Sequence, residues 1–336
     1  MATHGVKAQV ESAADLLAQR ASSPRSTSVP DSECQQELWL LGQPPLGRYI
    51  EFVEQAAGGA RTDRAALMEE WRAANDYYQE LERSEAGIAN SGSHRELDAS
   101  FASMISEVTA HPHYRRAFDT LPTTFMLVEL DKLIVFQRHV RRTFVAELMR
   151  RVGPVPTPEA LFRFCMPLEP SAPASVRICE LGSHRYVFRC ESVDLRYHES
   201  TVLRPEQVRD YHSFGAIAGI VGVVVGFGCD FLNGIRVGNR ILLHNGYHRA
   251  CALRSLGMTH APCIVQTATR SDEIQAVVKG RVAEQPEFYF ESARPPLLKD
   301  FFDPRLRKVL PLRRQMHLVE VTLEIRHLVE SSLTPD

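Results

Sequence analysis

Residues able to do chemistry crowd most closely into the run His244-Asn245-Gly246-Tyr247-His248-Arg249. Ile241-Leu242-Leu243 ahead of it reads as a short apolar strand. Asn245-Gly246 supplies a turn, and Tyr247 to Leu256 fits a helix with Ala250, Leu253 and Leu256 turned inward. Gly246 suits a positive φ or a close backbone approach to a ligand. Gly257 is a natural helix end, and Ala261 to Val265 gives the next strand. The first amide hydrogens of a helix lack intrahelical partners, and the backbone dipoles concentrate partial positive charge there. With His248 and Arg249 at that end, the expected chemistry is capture of a phosphate or carboxylate. The same residues admit an internal use, in which Arg249 pairs with a carboxylate of the protein itself. The residues alone weight the two readings equally.

The run LLHNGYHRACALRSLGMTHAPCIV resembles the second signature of the ParB/sulfiredoxin-like superfamily, in which a Gly-x-[His or Arg]-Arg turn opens a helix and an apolar strand follows. The upstream VELDKLIVFQRHV, Val128 to Val140, resembles that superfamily's first signature, a strand and loop carrying a Gln and a basic residue. The resemblance implies a mixed α/β core from about residue 121 and a turn that holds nucleotide phosphates. Asn245, Gly246, Tyr247, His248 and Arg249 would then lie at the phosphates. Gln137 and Arg138 would approach the nucleotide, with Arg141 a further candidate. Sulfiredoxins use ATP to repair an oxidised cysteine, free serine kinases phosphorylate serine, and ParB proteins bind CTP as a DNA-clamp switch. Tyr247 stands where sulfiredoxins carry their reactive cysteine, so sulfinic acid reduction is not expected. No helix-turn-helix follows the core, so chromosome partitioning is not expected either. The implied activity is phosphoryl transfer from ATP or CTP, with Mg²⁺, to a small hydroxyl-bearing acceptor. A nucleotide switch or DNA-associated module, and an interaction scaffold with a structural Arg249, are the alternatives.

Other constellations carry less. His244 and His248 are four apart, but the Asn245-Gly246 turn between them breaks helical metal-binding geometry, and no metal site is expected. His111-Pro112-His113 reads as a surface turn. Asp194 and His198 lack a glycine elbow or serine signature, so a hydrolase triad is unsupported. Glu180, Glu191 and Asp194 are candidate general bases. Cys251, at an apolar helical position, reads as a buried small residue. Arg305, Arg307, Lys308, Arg313 and Arg314 form a basic cluster that suits an ordinary solvated face better than a nucleic-acid contact.

These residues need elements to position them. Residues 1–35 are expected to be disordered, with Ala21 to Ser32 rich in Ser. Residues 36–120 form a helical region. Leu67, Trp71, Ala74, Tyr78 and Leu81 define one helical face, and Ser93-x-x-Glu96 reads as a capping box opening a second helix that Pro112 stops. The core, residues 121–292, contains a strand at Thr124–Leu130 and a helix marked by Phe144, Val145, Leu148, Met149 and Val152, closed by Gly153. A connection with one helical turn at Glu159–Phe164 follows, then inserted strands at Ser175–Glu180 and Tyr186–Glu191, and a short helix from Pro205 to Tyr211. Ile217 to Val225 is strongly apolar but broken by glycines, and reads as a buried helix end followed by a core strand rather than a membrane span. Residues 293–336 form an extension in which Phe301 and Phe302 dock on the core and Val319, Val321, Leu323 and Ile325 alternate as a half-buried strand. The fold class is therefore α+β.

Composition sets the outer bounds. A length of 336 residues suggests about two domains, or one core with sizeable additions. Net charge of -2 gives no global attraction to nucleic acid or membrane, so any basic surface is local. The first twelve residues lack the apolar core of a secretory signal, and the 7 cysteines form no Cys-x-x-Cys pair; a reduced, cytoplasmic protein is expected.

Overall fold

The computed structural model describes residues 9–11, 34–43, 45–56, 62–168, 175–182, 184–192, 195–208, 215–228, 230–313 and 316–327. The protein is α+β, with helices concentrated toward its N-terminal part and four sheets. In chain order the elements are β1 (Gln9–Glu11), β2 (Cys34–Leu40), α1 (Leu46–Ala56), α2 (Arg64–Ser84), β3 (Arg95–Glu96), α3 (Ala102–Ala110), α4 (Pro112–Ala117), β4 (Thr123–Glu129) and β5 (His139–Arg141). Next come α5 (Arg142–Val152), α6 (Pro158–Cys165), β6 (Arg177–Glu180), β7 (Arg185–Cys190), β8 (Leu195–Leu203) and β9 (Ile220–Phe227). The chain continues through β10 (Asn233–Val237), β11 (Arg240–Asn245), α7 (Tyr247–Ser255), β12 (His260–Thr267), α8 (Ser271–Val277), α9 (Arg281–Glu284), α10 (Pro286–Phe290), β13 (Arg307–Arg313) and β14 (His317–Thr322). These divide into a larger unit, 30–171 with 229–313, and a smaller one, 1–29 with 172–228 and 314–336.

The larger unit is built on a five-stranded sheet of order β11-β10-β12-β4-β3. Gly238-Asn239 turns β10 into antiparallel β11, setting Ile235 opposite Leu242; β10 runs parallel to β12, and β12 antiparallel to β4. Side chains alternate faces along a strand. Accordingly Ile241 and Leu243 join the core around α7, while Leu242 joins a second core with Ile134, Ile235 and Ile274. All three β11 residues are fully buried. Covering both faces explains why a continuous apolar run stands here instead of an alternating one. A second sheet, β13-β2-β5, packs its Leu38 and Leu40 into the α7 core.

The helices follow local rules with one exception. Asp63 accepts the Ala66 amide hydrogen at 3.1 Å and caps α2, whose Leu67, Ala74 and Tyr78 are buried. α5 ends at Gly153, φ +77°, as its sequence indicates. α6 is longer than one turn because Thr157 caps it and Pro158 fits its first position. The exception is the expected capping box. Ser93 caps nothing; its hydroxyl is engaged by His260 and Glu129, and Arg95–Glu96 pairs instead with Leu127 and Met126 of β4. Helix begins only beyond Asp98, which accepts the Ser100 amide hydrogen. Pro112 opens α4 at the point where it was expected simply to stop a helix.

The basic cluster is also better described as a strand. Arg307, Lys308 and Arg313 lie on β13, paired antiparallel with β2, while Leu306 and Leu310 are buried. Arg314 lies outside the described residues. Phe301 is buried, as expected, in the 3-10 turn Leu298–Phe302.

In the smaller unit β1-β6-β7-β14 form one sheet. β14 half-buries Val319 and Val321 as its alternation predicts, but ends at Thr322, leaving Leu323 and Ile325 exposed. The Ile217–Val225 reading needs correction: among the described residues β9 pairs only with β8, and Val221 and Val224 are exposed rather than core. Pro205–Gln207 forms a single 3-10 turn, while Tyr211 and the expected disordered Ala21–Ser32 lie outside the described residues. Among the described residues no helix is long and apolar enough to cross a membrane.

Candidate functional site

The expected strand–turn–helix–strand forms as β11, Gly246, α7 and β12. Gly246 adopts φ +92°, and a Cβ there would lie 2.6 Å from Leu232 Cδ1 and 3.0 Å from its Cα. Both backbone sign and close packing therefore demand glycine. Asn245 Oδ1 accepts the Gly246 amide hydrogen at 2.9 Å, fixing the turn. The turn delivers three consecutive side chains to three different places.

Tyr247 points inward and is buried. Its hydroxyl donates to the Leu243 carbonyl at 2.7 Å and receives the amide hydrogens of Phe136 at 3.1 Å and Gln137 at 3.3 Å. His248 Nε2 accepts the Arg141 amide hydrogen at 3.1 Å, with its ring edge-on to Phe144. Burial first, then the neighbouring Arg141, His139 and Arg249, push the imidazole pKa down to about 3. It is therefore neutral at ordinary pH. Arg249 is buried and donates through Nη1 to the Asp230 carbonyl at 2.5 Å; its Nη2 lies 3.3 Å from Asp230 Oδ2. Its guanidinium also sits 5.9 Å from the centre of the Phe164 ring.

The loop between Phe136 and Arg141 is thus bound to the start of α7, joining residues 128–140 to residues 242–265. Within that loop Gln137 Nε2 donates to the His139 carbonyl at 2.6 Å. The Arg138 carbonyl receives the Leu40 amide hydrogen at 2.8 Å. Among the described residues, the guanidinium groups of Arg138 and Arg141 have no hydrogen-bond partner, although Arg141 lies 5.6 Å from the Phe144 ring centre. Arg249 at the start of α7 is thus engaged by protein groups, while among the described residues the guanidinium groups of the loop are not.

Asp230 is the residue that sequence reasoning missed. Its side chain is 38% exposed and places a carboxylate at the turn. The available signal was position: Asp230 is the first charge after a long uncharged run. His244 is turned away from His248 in function, with Nδ1 3.2 Å from Asn233 Oδ1 and its pKa lowered by burial. His111 and His113 meet ring to ring, and His111 Nδ1 accepts the His113 amide hydrogen. Glu180 and Glu191 belong to the smaller unit, as does His198; Asp194 lies outside the described residues. Cys251 is buried, and burial raises its thiol to about 12, which leaves it a packing residue.

Among the described residues no three His, Cys, Asp or Glu side chains gather as a metal site. A Mg²⁺ carried by a nucleotide is held mainly by phosphate oxygens and water, with one or two carboxylates. Asp230 presents a half-buried carboxylate at the turn, already ion-paired with Arg249. No protein-family model matches this chain, and neither does any curated protein or solved structure.

Proposed function

We propose that this chain binds a nucleoside triphosphate, ATP or CTP with Mg²⁺, at the start of α7, as a protein of the ParB/sulfiredoxin-like superfamily. The observation that carries this reading is the junction of the two signature-like stretches through the Tyr247 hydroxyl and His248 Nε2. In this reading Tyr247, His248 and Arg249 hold the turn in shape. The amide hydrogens opening α7, with Arg138 and Arg141, would meet the phosphates. Phosphoryl transfer to a small hydroxyl-bearing acceptor is the enzymatic version. Asp230 would then be the carboxylate that accepts the acceptor's proton or a metal contact. A DNA-associated nucleotide switch uses the same binding site without transfer.

A second reading has an observation of its own. Arg249 and His248 are already satisfied by protein groups, which suits an interaction scaffold with a purely structural turn. Calorimetry and thermal shift with ATP, CTP, GTP and ADP plus Mg²⁺ separate the two, using wild type and Arg138→Ala. Nucleotide at about a hundred times its dissociation constant is expected to stabilise the fold by roughly 2.7 kcal/mol. Arg138→Ala is expected to reduce that gain while leaving ligand-free stability unchanged. Stabilisation by none of the four overturns the nucleotide reading. Turnover with a hydroxyl acceptor marks the transferase; salt-sensitive DNA affinity without turnover marks the switch.

A further inference from the structure

Further along α7, beyond the turn, its outer side borders a separate cleft of about 450 Å³ between α5, β2, β13 and the Leu298–Phe302 turn. That volume lies within the range of small-molecule pockets, roughly 300–1,000 Å³. Its floor is apolar: Leu38, Val140, Val145, Cys251 and Phe301 are all buried and contribute to its wall. The helical spacing explains the arrangement. Arg142, Val145, Ala146 and Met149 recur along one face of α5, and Cys251, Arg254 and Ser255 along one face of α7.

The charge around this apolar floor is of one sign. Arg142, Arg254 and Arg307 line the cleft, whereas no carboxylate among the described residues does. The described contacts leave most of their hydrogen-bonding capacity open. Arg142 donates through Nη1 to Gln36 Oε1 at 3.0 Å, and Arg307 through Nη1 to the Phe301 carbonyl at 3.1 Å. Arg254 donates through Nε to Asp131 Oδ1 at 2.5 Å and lies 5.2 Å from the Phe302 ring centre. Each guanidinium has about five N–H donors, so several on each remain for a ligand. Arg254 is already ion-paired with Asp131, whereas among the described residues Arg142 and Arg307 have no carboxylate partner; an anion seated between them would supply one.

We propose that this cleft binds a small amphiphilic anion, whose apolar body lies on the Leu38–Val145–Phe301 floor and whose carboxylate or phosphate head meets Arg142, Arg254 and Arg307. The site is independent of the turn at Gly246, whose residues do not line it. A neutral apolar molecule would leave the guanidinium donors without an acceptor. A compact inorganic anion would leave the floor uncovered.

Calorimetric titration of the full chain with octanoate, octyl phosphate and 1-octanol tests this. One equivalent of at least one anion is expected to bind, and 1-octanol roughly tenfold more weakly or not at all, because it lacks the charge-assisted hydrogen bonds. Comparison of octanoate with octyl phosphate identifies the preferred head. Ala146→Trp, at an exposed position of the cleft wall, is expected to abolish binding by filling the floor; Arg142→Gln and Arg307→Gln are each expected to weaken it several-fold. Circular dichroism and the ligand-free melting temperature check that each variant is folded, and any of the three alone suffices. The proposal is overturned if neither octyl anion binds, if 1-octanol binds as well as the anions, or if folded Ala146→Trp and Arg142→Gln both bind undiminished.

Discussion

At the first turn of α7 the cationic side chain is enclosed: Arg249 is buried, held by the Asp230 carbonyl and carboxylate, and packed near Phe164. Along the later turns of the same helix, Arg254 shares an open cleft with Arg142 and Arg307, each with donors to spare. The same residue type therefore serves two purposes. An enclosed Arg that is already paired fixes backbone, because removing it empties a buried position and leaves the Asp230 carbonyl and its half-buried carboxylate without that donor. A rim Arg contributes little to folding and keeps its hydrogen-bonding capacity for a ligand. Composition does not distinguish these cases; burial and partners do. Among the described residues the Arg138 and Arg141 guanidinium groups have no hydrogen-bond partner, which is why the proposed nucleotide site rests on them and on the amides that open α7, and not on Arg249.

This contrast orders the expected effects of substitution. Gly246→Val is the most damaging, at about 4 kcal/mol, since it adds a left-handed penalty to overlap with Leu232. Chemical denaturation measures it, and a loss under ~1 kcal/mol would break the account of the turn. Arg249→Ala is expected to cost roughly 3 kcal/mol, the low end for breaking a buried pair because Asp230 is partly exposed. A variant as stable as wild type would show that Arg249 is not a structural cation. Tyr247→Phe removes a hydroxyl that serves three backbone groups and is expected to cost about 2 kcal/mol. Hydrogen exchange should then quicken at Phe136 and Gln137 before it does elsewhere in the larger unit.

The next effect depends on pH. His248 has a folded pKa lowered to about 3, below its unfolded value of about 6.5. Its contribution is fully present above pH ~6.5. As pH falls below that, the unfolded chain takes a proton that the folded chain refuses, and stability declines until the folded pKa is reached. The loss is at most about 1.4 kcal/mol per pH unit. His248→Gln keeps an acceptor for the Arg141 amide and should flatten the stability curve in that window; identical curves for the two proteins would refute it. Smallest of all, Arg142→Ala and Arg307→Ala at the cleft are each expected to change stability by less than ~0.5 kcal/mol. A loss comparable to that of Arg249→Ala would erase the distinction between the two regions.

The strand–turn–helix–strand around Gly246 was readable because its punctuation is local: an apolar triplet, Asn245-Gly246, and Gly257 at φ +84° after the helix. α5 and its Gly153 end were readable for the same reason. Long-range pairing hid other elements. Ser93-x-x-Glu96 has the residues of a capping box, yet β4 recruits Arg95–Glu96 as an edge strand. β2 and β13 disguise each other, since the mixed CQQELWL and the basic RKVLPLR gain their strand form from long-range pairing, β13 with β2 and β2 also with β5. β9 misled in the opposite sense, for an apolar run is buried only if something covers it. At the candidate site the turn was local and visible, whereas its partners were not. Asp230 lies 19 residues before Arg249, and the Phe136 and Gln137 amides lie 111 and 110 residues before Tyr247. No spacing rule links such positions.

Whether the Phe136–Arg141 loop and the start of α7 jointly form the proposed phosphate site can be read from hydrogen–deuterium exchange with and without Mg²⁺-ATP or Mg²⁺-CTP. One nucleotide is expected to slow exchange in both segments together, with Arg138→Ala abolishing both protections. Protection of neither segment by either nucleotide, or of one without the other, would contradict it.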